Sequence, residues 1–439
     1  MKLIHKTFTR LMCSCLGLIA VSLLMAGCLS EDSKGQLTEE QTFTSAQSVY
    51  ANAVASLYNY IGGARDSEGL QGTYRGVYDF NTFTTDEAMI PTRGGDWYDG
   101  GFWQRLYLHT WTSTDESLNN TWNYLYKVVV LCNQSISIID KYDHLLTASE
   151  KKTYTAEVRA IRAMFYFYLL DMFGRVPIVT DANISVNQVL QSKRSEVFKF
   201  VVDELQEVTP MLYFAYSSRL GSYYGRVTQP VANFLLAKLM INAEIYSHDD
   251  WTNTPQPDGS QLMFTVDGVC MNAWDACLNY CDKLNEMGYS LSDDYAANFS
   301  VRNEQSVENI FTIPMDKILY TNLFKNLFRS RHYAHGSAIG MDAENGTSAT
   351  LSTVRTFGYG TEDQDNRYDI CFYSGPLYVD GKLVCTLPEI KEHKHDASCY
   401  KEEKVLICGV TDPAKLTGHE HDASCYSENK TLTCTLEEH

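Results

Sequence analysis

Helical periodicity constrains this chain more than any other feature. Six stretches carry apolar residues three or four positions apart, and few alternate as a strand would. Over 41–61 the stripe is Val49, Ala53, Leu57 and Tyr60 or Ile61; over 119–141 it is Trp122, Leu125, Val129, Cys132, Ile136 and Ile139. A third helix is expected to start at Thr147, because Thr147 and Glu150 form a capping-box pair. It is expected to stop at Gly174, with Pro177 just beyond. Further helices are expected over 195–208, over 229–247 with Pro230 in the first turn, and over 272–287. Strand signals are limited to 175–180 and 308–314, and the Gly-, Asp- and Tyr-rich stretches 62–118 and 248–271 read as long loops. The expected class is therefore mainly α.

The first residues indicate the compartment. Lys2, Lys6 and Arg10 precede an apolar run over 11–26 that is short for a membrane span but suits a signal peptide. The run ends in Leu24-Met25-Ala26-Gly27-Cys28, a lipobox in which a small residue precedes the cut and Cys28 offers a thiol for a diacylglycerol. Residues 1–27 are thus expected to be removed, leaving Cys28 as the lipid-anchored first residue and 28–40 as a linker. Glu31 and Asp32 follow closely, as acidic residues do in Bacteroidetes lipoproteins sorted to the outer face. Removal of three cations and no acid would take the formal net charge from -18 to -21, which disfavours nucleic acid as a partner.

Within the helical region, residues 156–170 read Ala-Glu157-Val-Arg159-Ala-Ile-Arg162-Ala-Met-Phe165-Tyr166-Phe167-Tyr168-Leu-Leu, leading into Phe173-Gly174-Arg175-Val176-Pro177. Three further segments follow suit: 122–133, Gly225-Arg226-Val227-Thr228 before a Leu235-Leu236-Ala237 helix, and Glu308-Asn309-Ile310-Phe311-Thr312-Ile313-Pro314. Taken with the lipobox, this pattern resembles the SusD/RagB nutrient-binding lipoproteins over residues 37 to about 380. The resemblance implies a tetratricopeptide-like scaffold of helix pairs over 41–382, although no 34-residue repeat is visible in the letters. It also implies a protein at the outer membrane that captures a glycan, or in some branches a peptide, for a partner TonB-dependent, SusC-like transporter. Glu157 and Arg162 stand five apart on one helix, so each is expected to tie that helix to neighbours rather than to pair with the other.

Sugar recognition needs flat rings and planar hydrogen-bonding groups. The loop 86–103 offers both: Trp97, Tyr98 and Trp103 beside Arg93 and Asp96, on a backbone loosened by four glycines. These five residues are the candidate ligand contacts, although Trp103 also suits packing the loop onto the helices. A second candidate is Tyr320 in the segment with Phe324, Phe328 and Tyr333, whose spacing equally suits an amphipathic turn. No G-x-S-x-G, H-E-x-x-H or phosphate-cradling glycine motif occurs, so a binding protein without a cofactor is expected, not an enzyme.

From residue 383 the chain changes character. His393-x-His395-Asp-Ala-Ser-Cys399-Tyr400 recurs as His419-x-His421-Asp-Ala-Ser-Cys425-Tyr426, and Cys408 and Cys434 follow each copy. Two His and two Cys per unit suit a tetrahedral metal site, while the same cysteines suit disulfide staples on small β-hairpins. Both readings stand, and with them an alternative function as a surface adhesion or interaction module. SusD-type chains normally continue past the region of 366–369 into helices with an Arg-Tyr-Ala-Glu-like segment. That segment is absent here, so the body is expected to lack part of the family fold.

Overall fold

The computed structural model describes residues 37–63, 65–70, 74–250, 252, 254–315, 329–372, 377–379, 381–385, 400–406 and 426–432. The chain divides into two compact units, residues 1–330 with 345–372, and residues 331–344 with 373–439.

The first unit is built on helices whose ends the sequence dictates. α1 (46–62) begins on Ser45, whose hydroxyl accepts from the Ser48 amide. Its middle, Tyr50–Ala55, is a π-helix. Eight residues apart on a plain α-helix, Tyr50 and Tyr58 would diverge by about 80°; the wider π turns bring both to one face. α2 (Val77–Phe83) and α3 (Phe102–Tyr107) lie within the stretch expected to be a loop. α4 (Glu116–Lys141) and α5 (Ala148–Phe173) fold back on each other through a short link. The Thr147–Glu150 capping box forms as expected, and α5 stops on Gly174 at φ 67. α6 (Arg194–Val208) packs on α5, and α7 (Gln229–Ile241) packs on α8 (Ala273–Glu286).

α5 is central. From Tyr154 to Leu170 it is buried almost all round, with Val158, Ile161, Phe165, Tyr166 and Leu169 fully inside the main core. Each such side chain contributes about 1.5–3 kcal/mol of burial. The hallmark polar residues sit in this apolar setting and pair with other segments of the chain. Glu157 is fully buried and accepts from Arg226 Nε at 3.0 Å and Nη2 at 2.6 Å, and from the hydroxyls of Tyr58 at 2.5 Å and Tyr50 at 3.4 Å. Arg162 donates to Asn133 Oδ1 at 2.8 Å and to Glu204 Oε2 at 2.7 Å. Neither residue pairs with the other, as their spacing requires.

Strands are few among the described residues. Neither 175–180 nor 308–314 forms a ladder; the former keeps a single bridge, Pro177 to Gln191. A hairpin forms instead where a loop was expected: β2 (Met263–Val266) pairs antiparallel with β3 (Val269–Asn272). Its two-residue turn is Asp267-Gly268, both at positive φ (51 and 82), the turn that matches strand twist. β1 (Ala88–Met89) pairs with β4 (Ser348–Ala349).

In the second unit, β5 (Leu377–Val379) and β6 (Lys382–Cys385) form a hairpin, and α9 (Tyr333–Ile339) belongs to the same unit. β7 (Tyr400–Leu406) pairs antiparallel with β8 (Tyr426–Leu432), with Tyr400 opposite Leu432 and Leu406 opposite Tyr426. The ladder therefore joins one sequence repeat to the next. Cys28, Tyr320 and the His and Cys candidates at 393, 395, 399, 408, 419, 421, 425 and 434 lie outside the described residues.

Candidate binding site

The 74–107 excursion carries a small core of its own. Phe80, Phe83, Ile90, Phe102, Trp103 and Leu106 are buried together, with Tyr74, Ala88 and Trp97 packed against them. Trp103 is the centre, 1 % exposed, with its ring edge-to-face with Phe83, Phe102 and Tyr74. Its indole N–H donates to Asp99 Oδ2 at 2.7 Å, and Arg75 pairs with the same carboxylate oxygen at 3.1 Å. A ring this enclosed offers no face to a solvent-borne ligand, and the structure gives Trp103 a packing role.

Residues from far along the chain hold this core in place. Arg329, 1 % exposed, forms a two-pronged pair with the fully buried Asp79 and lies within about 5 Å of the rings of Tyr74, Phe83 and Trp103. β4 pairs with β1, and Arg93 Nη2 donates to Ser348 Oγ at 2.5 Å. Thr350, the N-cap of α10 (Leu351–Thr356), donates its amide N–H to the Glu87 carbonyl oxygen at 3.2 Å.

On this base stands a tight turn. Arg93 and Asp96 exchange backbone hydrogen bonds of 3.0 Å in both directions around Gly94 and Gly95. Trp97 and Asp99 then adopt positive φ (63 and 43), as do Gly100 and Gly101. Left-handed backbone at a bulky residue costs about 1–3 kcal/mol and persists only where surroundings impose it. Here the imposing contact is visible. The Trp97 ring packs at 6.2 Å from Trp103, and a Cβ on Gly346 would stand 2.7 Å from that ring.

The sequence-derived candidates thus separate. Tyr98 is 59 % exposed, Asp96 is exposed beside it, and Trp97 and Arg93 are partly buried at the edge of the same turn. Trp103 lies beneath, and Tyr320 is outside the described residues. Arg329, Gly346 and Ser348 escaped notice because they contact the loop from some 250 positions away. Among the described residues, no three His, Cys, Asp or Glu side chains come together as a metal site. No helix among them is long and apolar enough to cross a membrane.

Gly346→Ala is expected to push Trp97 out of its seat, because the new methyl also meets Arg329 Cγ at 2.9 Å. Overpacking of this kind costs about 1–3 kcal/mol. Tryptophan emission should shift to the red as the unfolding midpoint drops; an unchanged spectrum and midpoint would show the seat to be slack.

Residues 37–254 match the profile of a SusD-like family described as starch-binding and associating with the outer membrane. A SusD-like protein of Bacteroides ovatus is 24 % identical over 302 residues, covering 66 % of this chain and 48 % of the relative. The starch-binding protein SusD of Bacteroides thetaiotaomicron is 26 % identical over 216 residues, 49 % of this chain and 35 % of that protein. The chain therefore spans at most about half the length of either relative. Among solved structures, the surface glycan-binding protein A of Bacteroides thetaiotaomicron, in complex with laminarihexaose, shares the fold at a TM-score of 0.53. Its identity is 19 %, with 71 % of this chain and 61 % of that one covered.

Proposed function

The helical body of this chain belongs to the SusD/RagB family, and from that premise we propose that the protein is a cell-surface glycan-binding lipoprotein. In this reading Cys28 carries the lipid anchor in the outer membrane, and a captured glycan passes to a partner TonB-dependent, SusC-like transporter. The protein binds and hands over; it does not cut.

One observation carries the reading. The 93–103 turn is a preformed platform, strained in its backbone and seated on a private core, and it turns Tyr98 and Asp96 to solvent with Trp97 and Arg93 at the rim. Preorganisation spares a binder the cost of ordering its contacts. A ring offers its face to sugar C–H groups, while carboxylate and guanidinium accept from and donate to hydroxyls.

The test is affinity electrophoresis of the mature chain through gels containing laminarin or starch. Tyr98→Ala and Trp97→Ala, each folded by circular dichroism, are expected to weaken retardation by a bound glycan about 5–30-fold, the loss typical of an aromatic anchor. Retention equal to wild type in both variants would remove this turn from the site.

A further inference from the structure

An open cleft of about 500 Å³ lies between α2, α4, the C-terminal end of α5 and the 111–113 loop, and the platform described above does not use it. Its volume sits in the ordinary range of small-molecule sites. Two indoles line it. Trp111 is 39 % exposed, and Trp122 is braced edge-to-face by Phe173 at 5.0 Å. The loop bearing Trp111 is pinned on both sides. His109 Nε2 hydrogen-bonds the Thr84 carbonyl oxygen at 2.7 Å, and the Thr112 amide donates to Asp115 Oδ2 at 2.7 Å.

The polar lining is equally specific. Asn81 and Asn119 contribute side-chain amides that bond to nothing else among the described residues. Asp171 receives the Tyr246 hydroxyl on Oδ1 at 2.6 Å, which leaves Oδ2 to accept from a ligand. Lysine and arginine are absent from the lining, so its one formal charge is negative.

We propose that this cleft is a second glycan subsite, which holds a neutral sugar unit against the indoles and hydrogen-bonds it through Asn81, Asn119 and Asp171. The inference rests on the glycan-binding reading above and adds a place and a chemical class to it. Amides both donate and accept, as an array of hydroxyls requires, and a carboxylate accepts strongly from sugar hydroxyls. A uronate or sulfate would bring a second anion toward Asp171 with no cation to offset it. The cleft therefore selects neutral over acidic glycans.

The test is calorimetric titration of the mature chain with laminarihexaose, maltohexaose and hexagalacturonate. Trp111→Ala and Asn119→Ala should lower affinity for the neutral oligosaccharide that binds by tenfold or more, and Trp111→Phe, which keeps a ring, should stay within threefold of wild type. Both positions are exposed, so the fold should survive; if Trp111→Ala unfolds, Asn119→Ala and Asn81→Ala decide. Unaltered affinity in folded cleft variants, with wild type binding a neutral oligosaccharide, overturns the subsite and leaves the glycan reading intact. Tighter binding of hexagalacturonate overturns the neutral class. Failure of wild type to bind any of the three removes both the subsite and the reading beneath it.

Discussion

Replacing Glu157 with alanine is expected to cost the first unit about 3–5 kcal/mol, the usual penalty for stripping one partner from a buried ion pair. Glu157 is fully buried and is the shared acceptor for Arg226, Tyr58 and Tyr50. Without it, Arg226 would remain enclosed by the rings of Tyr50, Tyr213 and Tyr223, its guanidinium carbon 4.7–5.2 Å from their centroids, with no anion to balance it. The Tyr58 hydroxyl would also lose its acceptor, although it could still accept from the Val227 amide at 2.8 Å. Glu157→Gln keeps the shape and one acceptor oxygen but sets an amide NH2 against one of the donors, and it should cost less than alanine because no cavity opens and part of the network survives. Urea denaturation of both variants checks this: the midpoint should fall far more for alanine than for glutamine at unchanged slope. Equal midpoints would mean the network is solvated and of little weight.

Asp79→Ala is expected to be as severe, and for a related reason. Arg329 is 1 % exposed and its anion partner, Asp79, is fully buried, so either single truncation leaves a charge stranded. A buried pair of this kind also carries a desolvation cost that its mutual attraction has to offset. Burial lifts the Asp79 carboxyl above its usual range, and the opposing pull of Arg329 does not restore it. A carboxyl raised on folding adds stability that is complete below its unfolded pKa and is lost as pH rises through the folded value. Above that window the ionised pair carries its desolvation cost. The joint replacement Asp79→Leu with Arg329→Met should therefore recover most of what Asp79→Ala loses. A double-mutant cycle by thermal or urea melting measures this coupling. Additive losses across the cycle would show that the two residues do not act as a pair.

Much of the helical frame is legible because its signals are local. The Thr147–Glu150 box and Gly174 bracket α5, and Pro230 marks the first turn of α7. The spacing of Glu157 and Arg162 was enough to turn each away from the other, but not to name Arg226 and Glu204 as the partners. The Asp267-Gly268 turn was also local and went unread, because the surrounding glycines and aspartates suggested a loop. For 175–180 and 308–314 the error ran the other way: apolar, β-branched residues mark extended chain, but a strand also needs a neighbour to pair with.

The candidate site was less legible than the frame. Arg93, Asp96, Trp97 and Tyr98 share one turn, as their adjacency suggests. Which rings face water depends on Arg329, Gly346 and Ser348, whose approach no local pattern encodes. Trp103 illustrates the point: it belongs to the same aromatic cluster in the letters, yet long-range packing buries it. The cleft beside Trp111 was missed because its lining comes from four helices and a loop, each with an unremarkable share.

The most direct measurement is affinity electrophoresis of the mature, folded wild-type chain through laminarin, starch and polygalacturonate gels. Retardation is expected in a neutral polysaccharide gel and none in polygalacturonate. Free migration through every gel, by a protein that circular dichroism shows to be helical, would contradict it.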